Sequence, residues 1–350
     1  MAELLSVRGL HVDFVTDLGV AHVLDGISLD VAPGEVVGLV GESGCGKTTL
    51  ARAILGVLPV GAARVRAGEV RFKGRDLLRE DPAVVNDRVR GRAITFIPQD
   101  PFSSFSPVFP VQTQIMDLMK WKSPRAGANG GQSWLRRYPR DRRRADRAAV
   151  LEMLHDVQIP EPARALRRLP HEFSGGQRQR LMIAMALLPR PDLIIADEPT
   201  TALDVTIQAQ ILRLLRQLVK DRGVSVLFAN PKHPYTWGLL RSIPRLDESR
   251  KAKLLPIEGL PPDLIAPPPG CKFEPRCQYR REICREKDPQ LMVVPGAKPD
   301  HESRCWGTQD VPGGGWLIQT DWRKEVGDTR VLEEIKQEAA SETATDAPGE

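Results

Sequence analysis

An apolar run, a glycine-rich loop closed by Lys-Thr and a helix-forming stretch follow one another across residues 36–58. The loop, Gly41-Glu42-Ser43-Gly44-Cys45-Gly46-Lys47-Thr48, fits G-x-x-x-x-G-K-[ST] at each fixed position. Val36 to Val40 reads as a buried strand, and Thr49 to Leu58 as a helix rich in Ala, Leu and Ile. Glycines permit a tight loop whose backbone N–H groups turn inward, and the helix N-terminus adds partial positive charge. Such a loop cradles phosphates. Lys47 is expected to reach the β- and γ-phosphates and the Thr48 hydroxyl to bind Mg²⁺, with Thr49 closing the nucleotide-binding set. Cys45 holds a free position and reads as a small filler without a catalytic role.

A second buried strand, Leu193 to Ala196, is expected to run into Asp197-Glu198. A strand of a parallel sheet delivers its C-terminal residues to the ligand edge. Asp197 is therefore expected to hold Mg²⁺, directly or through water, and Glu198 to act as general base on the attacking water.

His171-Glu172-Phe173-Ser174-Gly175-Gly176-Gln177-Arg178-Gln179-Arg180 resembles the signature of ATP-binding cassette (ABC) ATPases, with Phe173 where Leu is commoner. The resemblance implies a P-loop NTPase fold of RecA type, with an N-terminal antiparallel β-subdomain and a helical subdomain. It implies that Ser174, Gly175, Gly176 and Gln177 bind, in trans, the γ-phosphate held by a partner domain. Gln99 matches the family's Q-loop, which senses Mg²⁺ and contacts the transporter, and Asp204 lies in the matching D-loop Thr201-Ala202-Leu203-Asp204. Phe14 sits where the family stacks an aromatic on adenine, or else it is a strand core residue.

Gln99-Asp100-Pro101 with Ser106-Pro107-Val108, and Asp197 through Thr206, look like the ATP-binding subunits of oligopeptide/dipeptide and nickel importers. So does Asn230-Pro231-Lys232-His233-Pro234-Tyr235-Thr236, which opens that group's C-terminal extension. The expected organisation is a cassette over residues 1–230, with its helical subdomain at about 101–188, an extension over 231–308, and a disordered tail over 309–350. The implied function is ATP binding and hydrolysis that energises import of peptides or a related small solute. The alternative is a degenerate ATP-binding subunit that regulates a transporter whose partner hydrolyses. Implied partners are membrane permease subunits, a second ABC ATPase subunit and, indirectly, an extracytoplasmic solute-binding protein. A soluble cassette protein of translation or repair would pair two phosphate loops or insert a coiled coil; one loop and no long heptad run stand here.

Composition sets outer bounds. A net charge of +5 over 350 residues suits a nucleotide or an anionic membrane surface and does not call for nucleic acid. No apolar run nears the ~18 residues that span a bilayer. The start, Met1-Ala2-Glu3-Leu4-Leu5, lacks a leader's basic and long apolar regions. The expected place is peripheral, on the cytoplasmic face of the membrane. Lys122 to Arg147 carries three glycines and then Arg136, Arg137, Arg140, Arg142, Arg143, Arg144 and Arg147. It reads as an expanded loop leading into a helix, with a solvated basic face as one reading and contact with lipid headgroups or an acidic partner as the other.

Cys271, Cys277, Cys284 and Cys305 form C-x5-C-x6-C-x20-C. Clustered thiols in a cytosolic chain suggest metal, and four thiolates suit Zn²⁺ or a 4Fe–4S cluster. The spacing chooses neither, and unligated thiols stay open as a third reading. The importer extension carries a similar pattern, some members holding 4Fe–4S there, which favours the cluster over zinc.

The chain departs from the resemblance after residue 227. A helix over Thr206 to Asp221 and a strand over Val224 to Leu227 are expected, and then Phe228-Ala229-Asn230-Pro231 enters the extension motif directly. Alignment on Gly223 puts the family's switch histidine at Pro231, so the histidine and the elements after it have no counterpart. His233 is close by but belongs to the extension motif. The expectation is weakened hydrolysis with ATP binding kept.

Overall fold

The structure, a computed structural model, describes residues 3–39, 41–42, 44–100, 103–126, 138–197, 225–226, 235, 257–294 and 302–308. It divides into two compact units. One comprises Met1–Val15, Val23–Leu39 and Gly46–Val226; the other comprises Thr16–His22, Val40–Cys45 and Leu227–Glu350.

The first unit opens with β1 (Leu5–Thr16) and β2 (Gly19–Val31), whose apolar and polar residues alternate as a half-buried sheet requires. After β3 (Glu35–Val36) and α1 (Lys47–Leu55), β4 (Ala63–Phe72) and β5 (Arg75–Asp76) complete a sheet of order β2-β1-β4-β5. β1 pairs antiparallel with β4, and β4 with β5. The register slips between Arg8 and His11, and Gly68 makes the slip possible. A Cβ on Gly68 would stand 2.5 Å from the Gly9 carbonyl oxygen, and its φ of +100° suits glycine alone. Leu5, Val7, Leu10, Val12, Leu50, Ile54, Val70 and Ile94 close this core.

A short turn, α2 (Pro82–Val84), leads to β6 (Ile94–Ile97). Four helices follow: α3 (Val111–Lys122), α4 (Arg140–Asp156), α5 (Pro162–Ala165) and α6 (Gly175–Leu187). Ile115, Met119, Val150, Leu154, Leu181 and Ile183 are each fully buried in their shared core. Each such side chain contributes about 1.5–3 kcal/mol by leaving water. β7 (Leu193–Ala196) pairs parallel with β6, and β8 (Ser225–Val226) pairs parallel with β3.

Three expectations need correction. The strand expected over Val36–Val40 is only Glu35–Val36, and Leu39 is 52% exposed. Among the described residues β3 pairs with β8, over Glu35–Val36. β7 is half-buried rather than buried, with Ala196 exposed at its end. The first helix ends at Leu55 and not Leu58: Gly56 takes a left-handed φ of 63° and caps it. The helix expected over Thr206–Asp221 and the tail over 309–350 lie outside the described residues.

In the second unit, the His22 N–H donates to the Leu264 carbonyl at 2.8 Å. Its cysteine-bearing part holds α7 (Glu282–Glu286) and the antiparallel pair β9 (Met292–Val293) and β10 (Glu302–Ser303). The Trp306 indole N–H donates to the Lys287 carbonyl at 2.9 Å and ties these pieces together.

Candidate nucleotide site

The phosphate loop feeds straight into α1. Gly46 is the residue before that helix, at φ 96°, and a Cβ there would stand 2.9 Å from Leu24 and 3.1 Å from the Val23 carbonyl oxygen. Only glycine fits that turn. No side chain caps the helix and no acidic residue stands in its first turn, so the first amides face outward as anion donors. Lys47 and Thr48 open the helix and are half-buried. The Cys45 N–H donates to the Glu42 carbonyl at 3.2 Å, which tightens the loop. Cys45 is exposed, and its Sγ lies 2.4 Å from where a Cβ on Gly41 would be, so it fills the space that glycine leaves.

Parallel pairing brings the strand ends together. Ile97 of β6 stands opposite Ala196 of β7, and the Asp197 N–H donates to the Ile97 carbonyl at 2.9 Å. Gln99 and Asp197 therefore leave the sheet at one edge. The Thr48 hydroxyl donates to Asp197 Oδ2 at 2.8 Å. Two of the three residues assigned to Mg²⁺, Thr48 and Asp197, 149 positions apart, thus meet side chain to side chain.

Ser174 is the N-cap of α6. Its hydroxyl accepts the Gln177 N–H at 3.3 Å, and the Gln177 side-chain oxygen accepts the Ser174 N–H at 3.1 Å. Gly175 and Gly176 follow in the first turn, at a helix start that Ser174 leaves exposed. Phe173 turns inward beneath the Arg168 guanidinium, 4.3 Å from the ring centre. Phe14 is half-buried on β1 opposite Ala63 and packs against the β core, which gives the core alternative a contact. Ser43, Glu198, Asp204, Pro231 and His233 lie outside the described residues.

Sequence reading missed two groups. Asp146, fully buried on α4, accepts the Ser123 hydroxyl at 2.7 Å and the Tyr138 hydroxyl at 2.8 Å, with Arg125 and Arg142 beside it. Burial and that carboxylate hold the Tyr138 phenol far above its usual range. Part of the arginine-rich stretch thus anchors a buried carboxylate, while Arg140, Arg143 and Arg144 are exposed. The second group is Tyr235 and Arg276, both bonded to Glu42 of the phosphate loop. Nothing local in the sequence links residues so far apart.

The four extension thiols are free, with Cys284 and Cys305 buried. Burial, with further raising by neighbouring thiols, pushes Cys277 up to about 11 and Cys305 up to about 12, against backbone amides that lower them. Those amides belong to Tyr279 and Gly307, and the Phe273 and Glu274 amides serve Cys271. Sulfurs that accept amide N–H bonds are the donor chemistry of a thiolate-held metal centre. The spacing does not match that chemistry: among the described residues no three His, Cys, Asp or Glu are placed to hold one ion. Among them, too, no helix is long and apolar enough to cross a membrane.

Loop, strand-end carboxylate and signature helix define an ATPase of the ABC cassette class. The ABC transporter family model matches residues 24–201, and the model for the oligopeptide/dipeptide transporter C-terminal region matches residues 222–284. The chain belongs to the ABC transporter ATP-binding family, in the branch that carries this C-terminal region. It is 40% identical to the dipeptide transport ATP-binding protein DppD of Bacillus subtilis, covering 87% of this chain and 95% of that protein. It is 36% identical to the oligopeptide transport ATP-binding protein OppD of Escherichia coli, covering 84% and 91%. A dimeric structure of a bacterial ABC transporter cassette aligns with a TM-score of 0.51 at 25% identity, over 63% of this chain and 85% of that one.

Proposed function

We propose that this chain is the ATP-binding and hydrolysing subunit of a peptide importer, peripheral on the cytoplasmic face of the membrane. Its relatives are named as dipeptide and oligopeptide transport ATP-binding proteins. The observation that carries the reading is the Thr48–Asp197 contact, which joins the phosphate loop to the end of β7. A hydroxyl and a carboxylate are the hard oxygen donors that Mg²⁺ prefers, so these two residues fit the ion. Thr48 and Asp197 would hold the ion, which would supply charge neutralisation at the phosphates. Lys47 and the amides at the start of α1 bind the phosphates, and Gln99, at the same strand edge, senses Mg²⁺ as the water attacks. Glu198, one position beyond Asp197, takes the proton from that water as general base. Ser174, Gly175, Gly176 and Gln177 serve the γ-phosphate of a partner cassette, Asp204 belongs to the D-loop, and Phe14 is the candidate for stacking on adenine, with a strand core role as the other reading. Permease subunits and a second cassette complete the machine. Steady-state hydrolysis should rise when permeases, a second cassette and a peptide-loaded binding protein are added to the purified chain. Equal rates with and without them would contradict a transport role.

The same reading includes a 4Fe–4S centre at Cys271, Cys277, Cys284 and Cys305, with Zn²⁺ as the alternative. Amide donors to three of the sulfurs support it, and the thiols would have to close up to bind one centre, since no three of them are placed to do so among the described residues. Anaerobic purification should give brown protein with iron and sulfide. Colourless protein with stoichiometric zinc selects the alternative, and neither metal after anaerobic reconstitution leaves structural thiols.

The shortened segment after Leu227 belongs to this reading as well. The alignment with DppD runs over 339 residues yet takes in 87% of a 350-residue chain, so it passes over residues of the relative that have no counterpart here. Without a switch histidine, the γ-phosphate loses one donor in the transition state, and the chain alone turns over slowly.

A further inference from the structure

The extension reaches the phosphate loop through one glutamate. Arg276 Nη1 donates to both carboxylate oxygens of Glu42, at 2.9 and 3.0 Å. The Arg276 side chain is 7% exposed and Glu42 24%, so the pair is largely out of water. The Tyr235 hydroxyl accepts the Glu42 backbone N–H at 2.9 Å, which fixes the main chain of the same residue. Phe273 braces both partners: Tyr235 meets its ring edge-on at 5.3 Å, and the Arg276 guanidinium lies 5.4 Å from its centre. Gly259, at φ +87°, leaves room for the arginine stem, since a Cβ there would stand 3.1 Å from Arg276 Cγ. Phe273 and Arg276 both lie between Cys271 and Cys277, on the loop that the two thiols bracket.

A carboxylate inside a loop that must receive a polyphosphate opposes the ligand. A guanidinium held on it cancels that charge. We propose that Arg276 is a positioning residue of the nucleotide site: from the cysteine-bearing extension it neutralises Glu42 and holds the start of the phosphate loop ready for an anion. This rests on reading residues 41–48 as the phosphate loop. The extension thereby acts on ATP affinity.

The test is equilibrium titration of Mg-ATP into the full-length chain at low and high salt. Arg276→Gln should bind roughly tenfold more weakly, the scale of one uncompensated charge near the phosphates. That deficit should shrink at high salt, which a displaced loop would not show. Glu42→Gln should bind at least as tightly as the unmodified chain, and the double variant should recover to within about threefold of it, as coupled charges do. Unchanged affinity in Arg276→Gln, or a double variant as weak as that single one, overturns the proposal. If Arg276→Gln fails to fold, Glu42→Gln decides, and a loss of affinity there is equally fatal. Lys47→Ala separates the two readings. Normal binding in Lys47→Ala refutes the phosphate loop itself, whereas its loss beside normal Arg276→Gln binding refutes Arg276 alone.

Discussion

At the scale of single residues, the site depends on charges that few neighbours can replace. Glu198→Gln keeps the shape and removes the base, so ATP binding should persist while turnover falls by at least ~10². Single-turnover hydrolysis at normal rate in that variant would take the role away from Glu198. Asp146 is the corresponding residue for stability. Asp146→Ala would strand the Ser123 and Tyr138 hydroxyls and leave Arg142, now beside a carboxylate, without it. A cost of roughly 2–4 kcal/mol follows from unpaired buried groups. Denaturant melts should report it, and a change below about 0.5 kcal/mol would show that water replaces the network. Lys47, Thr48 and Asp197 were legible because each sits at a fixed motif position. Asp146, Tyr235 and Arg276 were not, since their partners lie on other elements and no spacing rule encodes them.

At the scale of elements, α1 and α6 put the same physics to two uses. Each presents a helix N-terminus next to glycine, one with no side chain over its amides, the other capped by Ser174. Gly176→Asp adds a carboxylate to the first turn of α6, where it would face a partner's γ-phosphate. ATP-driven association in sedimentation should disappear while each chain still binds ATP. A variant that associates normally but binds poorly would place the signature at its own site. The α6 start was readable from Ser174 and Gln177, three positions apart, and its structure is the capping box they predict. Strand lengths were less readable. Apolar runs at 36–40 and 193–196 mark where strands begin, but how far each extends and how deeply it is buried depends on neighbours from distant sequence.

At the scale of the whole molecule, the chain joins a family cassette to an extension that shares a unit with part of its phosphate loop. The cassette's order was visible in its motifs; the second unit's composition was not, because it gathers residues 16–22, 40–45 and 227 onward from three stretches. The shortened switch segment should make the isolated chain hydrolyse about 10²–10³-fold more slowly than an active partner cassette, with ATP affinity kept. An equal rate in a coupled phosphate-release assay would mean that another group positions the water, with His233 the first to replace. The most direct measurement is ATP-dependent uptake of a labelled peptide by proteoliposomes holding the permeases, the second cassette and this chain, supplied with the solute-binding protein. Uptake should be present with the unmodified chain and fall at least tenfold with Lys47→Ala in this subunit, together with its nucleotide affinity, a change of about 1.4 kcal/mol or more. Full uptake with Lys47→Ala would contradict an ATP-binding role for this chain in transport.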